Sequence, residues 1–200
     1  LFAEDKMSKS KGNIIYADEL VEEFGSDAVR YYLLSEMPFA QDGNITCDVF
    51  ISRFNSDLAN TLGNLVNRTV SMINKYFDGE LISNSVSGDF DDDLKNVATG
   101  AFEKVAEKMR TLHVADSLDI IWSVVNRANK YIDETEPWIL AKSDETKQRL
   151  ATVLYNLAET IRIIASLLSS FMPETAEKIK EQINAEDISL ESIKEFGGLK

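Results

Sequence analysis

DVFISRFNSDLANTLGNLVNRTVSMINKY, residues 48–76, contains no proline and repeats its apolar side chains every three or four positions. Ile51, Phe54, Leu58, Leu62, Leu65, Met72, Ile73 and Tyr76 fall on one face at about 100° per residue. The spacing predicts one long amphipathic helix over Asp48–Tyr76 with that face in a core. The opposite face carries Asn60, Asn64, Asn67 and Arg68 within about 100° of arc. A solvated helix face ordinarily uses Glu, Lys or Gln, because Asn competes for its own backbone and is the weaker helix former. Asn joins an acceptor and a donor in one amide, which matches the edge of a base, and Arg pairs with phosphate or stacks on a base plane. From the residues alone, bonding of these asparagines to a neighbouring loop or helix fits equally well.

Outward from this helix the chain keeps the same character. Of its 200 residues 44% are apolar and 28% charged, with only nine glycines and three prolines, the balance of a globular and mainly helical protein. Towards the N-terminus, Asp18 is expected to cap a short helix, ADELVEEF, that Gly25 ends. Ser26 then opens a second, SDAVRYYLLSE, closed by Pro38. The turn-rich PFAQDGNITCD is the expected boundary, placed near Cys47, which divides the chain into 1–47 and 48–200. Towards the C-terminus, GELISNSVSGDFDDD reads as a solvated connector that delivers carboxylates to the start of the next helix. Apolar stripes follow at Leu94, Ala98, Phe102, Val105, Met109 and Leu112, and then at Leu118, Ile121, Trp122 and Val125. A longer stripe runs from Leu150 through Leu154, Leu157, Ile161, Ile164 and Leu168 to Phe171, and Pro173 opens a last helix, PETAEKIKEQI. The expected fold class is all-α, a helical bundle.

Composition also narrows function. The single Cys47 and single His113 lack partners at ligand spacing, so no protein-built metal site is expected. The most apolar run, Ile161–Phe171, is about half the length of a membrane span and contains Arg162, so it reads as buried helix with no membrane role. A net charge of −13 argues against a surface that grips nucleic acid everywhere. Any such contact must be local: residues 78–93 hold six carboxylates and no base, whereas residues 50–76 hold Arg53, Arg68 and Lys75 against Asp57 alone.

Near the N-terminus of this acidic chain stands a basic loop, KMSKSKGN, residues 6–13. Lys6 and Lys9 place two ammonium groups three residues apart beside small hydroxyls, a combination that closes on a polyphosphate and stabilises the charge growing on a departing pyrophosphate. The octet followed by a helix resembles the KMSKS loop of class I aminoacyl-tRNA synthetases. Further along, FGSDAVRYYLLSEMPFAQDGNIT, RFNSDLANTLGNLVNR and YIDETEPWILAK together resemble the methionyl-tRNA synthetase family over essentially the whole chain.

That resemblance implies the end of a catalytic region over 1–47, followed by an α-helical anticodon-binding domain over 48–200. It assigns Lys9 to ATP, with Lys6 as a second catalytic lysine and Met7 and Ser8 beside it. It assigns Asn64 and Arg68 to the CAU anticodon and Trp138 to stacking on its first base, with Asn60 one turn earlier in support. Pro137 would fix the backbone there and hold the indole near a helix N-terminus, whereas Trp122, inside an apolar stripe, reads as core. The implied partners are the anticodon stem-loop of methionine tRNA and an upstream catalytic domain of the same chain. ATP and Mg2+ are implied for the whole enzyme, which is expected in the cytoplasm. A chain that starts at Leu1 is expected to be part of something longer, inactive alone and with no cofactor bound. The alternatives are another KMSKS-type class I synthetase, or a helical protein-interaction module without nucleic-acid binding.

Overall fold

The computed structural model describes residues 8, 10, 14–36, 45–81 and 86–199. Among them the regular elements are all helical: α1 (Ala17–Phe24), α2 (Ser26–Glu36), α3 (Cys47–Arg53), a π-helical segment (Phe54–Gly63), α4 (Asn64–Phe77), α5 (Asp91–Arg110), α6 (Val114–Thr135), α7 (Pro137–Leu140), a short 3-10 turn (Asp144–Thr146), α8 (Lys147–Leu168) and α9 (Pro173–Gln182). The all-α expectation holds. Gly25 ends α1 at φ 84°, a left-handed conformation suited to glycine, but Asp18 lies in the first turn and the capping position belongs to Tyr16. Pro38 lies outside the described residues.

The helix read as continuous over Asp48–Tyr76 begins at Cys47, where the Thr46 hydroxyl accepts from the Val49 N–H at 3.2 Å. It then changes pitch. Between α3 and α4 ten residues pair in the wider i→i+5 frame, which turns less per residue than an α-helix. A face counted at constant angle therefore drifts across this segment: Leu62, Leu65 and Ile73 are buried, while Ile51, expected in the core, is 44% exposed. Asp78 and Gly79, both at positive φ, close α4.

α8 is the centre of the bundle. From Leu150 to Leu168 it is buried on all sides except at Tyr155, so its apolar stripe understates its burial. α4, α5, α6 and α9 surround it and contribute Leu65, Leu94, Ile121 and Ile179 to one continuous core. By length and composition the stretch Asp144–Leu168 could cross a membrane, but 94% of its most apolar window is buried inside the protein. α2 joins the same core through Tyr31, whose ring stacks on Trp122 of α6 at 4.6 Å and whose hydroxyl donates to Asp57 Oδ2 at 2.7 Å. Asp27 at the start of α2 accepts from the Thr175 N–H at 2.6 Å and so serves the N-terminus of α9.

Buried polar groups fix the ends of the bundle. Asp91 Oδ1 accepts from Tyr131 Oη (2.6 Å) and Arg149 Nη2 (2.7 Å), and Oδ2 from Arg149 Nη1 (2.6 Å) and the Gly88 N–H (3.1 Å). Burial pushes the Asp91 carboxyl up, but the hydrogen bonds from Arg149 and Tyr131 and the Arg149 charge outweigh it and hold the group below its ordinary value. A carboxyl depressed in the folded state adds stability above its unfolded pKa and loses it as pH falls through the folded value. Acidification from about pH 5 to about pH 2 is therefore expected to lower the thermal midpoint of the wild type more than that of Asp91→Asn. Parallel curves would remove Asp91 from the acid response.

Candidate nucleic-acid interface

The asparagine stripe survives the change of pitch. Asn60 lies in the last turn of the π-helical segment, Asn64 is the first residue of α4, and both are exposed, as is Asn67. Among the described residues neither Asn60 nor Asn64 gives its side-chain amide to a neighbour. Arg68, one turn beyond Asn64, is half-buried, and its Nη2 lies 3.6 Å from Asp133 Oδ1 on α6. At that distance and exposure the pair orients the guanidinium more than it stabilises the fold.

α6 delivers the second half of the site. It stops at Glu136, which takes a left-handed backbone at φ 43°, and Pro137 follows as the first residue of α7. The Ala141 N–H donates to the Pro137 carbonyl at 2.9 Å and Thr146 Oγ1 to the Leu140 carbonyl at 2.6 Å, which closes the turn at both ends. On this braced turn Trp138 is 40% exposed and Ile139 45% exposed, a pair of large apolar side chains turned to solvent. Trp122, by contrast, is half-buried against Tyr31. The sequence distinction between the two tryptophans therefore matches their placement.

The C-terminal end of α4 also packs beside the segment that follows α7. A cleft of about 180 Å³ is lined by Lys75 and Tyr76 from the end of α4 together with Leu140, Ser143 and Lys147 from the α7–α8 segment. Lys75 and Lys147 bring two ammonium groups to this cleft, with Asp144 beside them. The carboxylates at the start of α5 are partly engaged elsewhere: Asp91 by Arg149, and Asp93 by Arg127, which also pairs with Glu134 at 2.9 Å. Chemically, an exposed indole can stack on an unpaired base, exposed amides can read its polar edge and a guanidinium can contact its backbone.

Two residues of this arrangement escaped the sequence reading. Asn129 Nδ2 donates to the Thr61 carbonyl and to the Val125 carbonyl, each at 3.2 Å, and Asp133 lies one turn further along the same helix. Their i,i+4 spacing puts them on one face of α6, but only the packing of α6 on the earlier helix gives that face a partner.

Of the basic loop, Ser8 and Ser10 are described, with their Oγ atoms 2.8 Å apart. Lys6, Met7 and Lys9 lie outside the described residues. Among the described residues no group of three or more His, Cys, Asp and Glu side chains is placed to hold a metal ion.

Residues 1–70 match a family described as tRNA synthetases class I (M), and residues 84–195 match the anticodon binding domain of methionyl tRNA ligase. A methionine–tRNA ligase of Clostridium tetani is 52% identical over 98% of this chain and 30% of its own length. That of Bacillus subtilis is 47% identical over 100% of this chain and 31% of its own. Mycobacterium tuberculosis methionyl-tRNA synthetase in complex with methionyl-adenylate superposes with a TM-score of 0.83 at 41% identity, covering 86% of this chain and 34% of that one. The chain thus spans about a third of the length of these relatives.

Proposed function

The chain belongs to the methionyl-tRNA ligase anticodon-binding family, and from that premise we propose that its 47–77 helix and α7 read the CAU anticodon of methionine tRNA. Trp138 supplies the stacking surface for the first anticodon base, Asn64 and Arg68 contact the anticodon, and Asn60 supports them from the preceding turn. The observation that carries the reading is the exposed Trp138, on a turn closed by the Thr146 bond and five residues after Asp133, the partner of Arg68. Stacking needs a flat side chain that does not have to be ordered on binding, and the braced turn provides one.

The whole protein, on this reading, attaches methionine to its tRNA in the cytoplasm with ATP and Mg2+. Residues 1–47 close its catalytic region, and residues 48–200 bind the tRNA. Lys6 and Lys9, with Met7 and Ser8, would face the phosphates of ATP, where two ammonium groups offset negative charge.

Titration of the chain at low salt with a methionine tRNA anticodon stem-loop, and with one whose anticodon is changed, tests the proposal. Tighter binding of the CAU loop is the expected result. Equal binding of both, or binding of neither, sinks it and leaves a helical interaction module as the better reading.

A further inference from the structure

The change of helical pitch lies beside the proposed anticodon residues. Ten consecutive residues in a π frame are unusual, since this geometry mostly occurs as single turns and often at functional sites. Its last turn carries Asn60, and Asn64 follows directly where the chain returns to α4. A change of hydrogen-bonding frame leaves backbone carbonyls to be satisfied from outside the helix. Here the Thr61 carbonyl, which also accepts from the Asn64 N–H, receives Asn129 Nδ2 at 3.2 Å from α6, and the Thr61 hydroxyl donates back to the Ser56 carbonyl at 2.7 Å. The second N–H of Asn129 is held by the Val125 carbonyl of its own helix, so the amide is clamped between the two elements.

One turn further along α6, Asp133 meets Arg68, and five residues beyond stands Trp138. α6 is thus tied to the helix bearing the asparagines at two rungs, Asn129–Thr61 and Asp133–Arg68. The first rung is the better shielded: Asn129 is half-buried, whereas the Asp133 side chain is 69% exposed. We propose that Asn129 is a positioning residue for anticodon reading. Through the Thr61 carbonyl it holds the last π turn in register with α6, and so sets where Asn60 and Asn64 stand relative to Trp138. This rests on the anticodon reading above and adds a residue that touches no base.

Asn129→Asp tests it, because the side chain keeps its shape while the donating NH2 group becomes an oxygen that repels both carbonyls. The readouts are binding of the CAU stem-loop, binding of a stem-loop with a changed middle base, and the helical circular-dichroism spectrum. With the spectrum unchanged, preference for CAU is expected to fall by up to about tenfold, the scale of one hydrogen bond. Should the carboxylate prevent folding, Asn129→Ala removes the donors without adding charge and is read in the same way. A merely structural role would lower stability and leave the preference between the two loops intact, and that result overturns the proposal. Trp138→Ala separates the two readings: loss of CAU binding there with full preference in the Asn129 variant rejects only the positioning role, while no loss in either rejects the anticodon site itself.

Discussion

Replacing Glu159 with alanine is expected to lower the free energy of unfolding by about 3–5 kcal/mol. Glu159 and Arg162 are buried within α8 and face each other one turn apart, with Arg162 Nη2 2.7 Å from Oε1 and Nε 2.8 Å from Oε2. The carboxylate also accepts three backbone N–H groups from the C-terminal segment, Gly197 and Gly198 on Oε1 and Leu199 on Oε2, at 2.8–2.9 Å. Arg162 in turn donates to the Asp187 carbonyl at 3.1 Å and to the Ser192 hydroxyl at 2.7 Å. The glycines suit this arrangement: Gly197 sits at φ 110°, and a Cβ on Gly198 would come within 2.6 Å of the guanidinium.

Alanine at position 159 would leave a buried cation without its counter-charge and three N–H groups without an acceptor, the situation in which a buried pair is most costly to break. One relaxation competes. If residues 187–199 lift away, Arg162 meets water and the loss shrinks towards the value of the tail contacts alone. Urea unfolding measures the free energy, and hydrogen exchange at Gly197–Leu199 reports the tail. A loss under about 1 kcal/mol with those amides still protected would show that the pair is not the anchor.

Why this anchor was illegible in the sequence, while other features were plain, comes down to how local each signal is. Gly25 and Pro173 end and begin helices through their own backbone preferences, so that α1 stops at Gly25, α2 starts at Ser26 and α9 at Pro173. The two tryptophans separate for an equally local reason, one following a proline and the other embedded in an apolar stripe. Arg162 was legible only as a charge inside an apolar run. Its spacing from Glu159 is local, but the tail carbonyls and N–H groups that complete the pair come from 25 to 40 residues away. The π-helical segment failed for another reason. Counting at a fixed angle presumes a fixed pitch and so puts Ile51 in the core although it is exposed, while the residues after the segment, Leu65 and Ile73, fall back into register with the bundle. Asp133 and Asn129 form a face without a meaning until α6 is packed on the helix that carries Arg68.

Trp138→Ala is expected to weaken binding of the CAU stem-loop by about 1–3 kcal/mol, or roughly 5- to 150-fold, while leaving the fold intact. Both halves of the expectation follow from one fact: the indole is 40% exposed and lies at the rim of the bundle, in a turn closed by backbone and Thr146 hydrogen bonds that do not involve its side chain. Truncation therefore removes less buried surface than it would at a core tryptophan. A core tryptophan would behave in the opposite way, with a cost of about 3–5 kcal/mol in stability. Unfolding of Trp138→Ala would thus contradict the exposure seen here, and a folded variant with unchanged affinity would exclude stacking. The salt dependence gives an independent check. Stacking on an uncharged ring releases no counterions, so the slope of log affinity against log salt should stay that of the wild type in Trp138→Ala. It should become shallower in Arg68→Gln if the guanidinium reaches a phosphate. Were the slope to change in the tryptophan variant, loss of the ring would have shifted the backbone contacts as well, and Trp138 would act by aligning the loop rather than by holding one base.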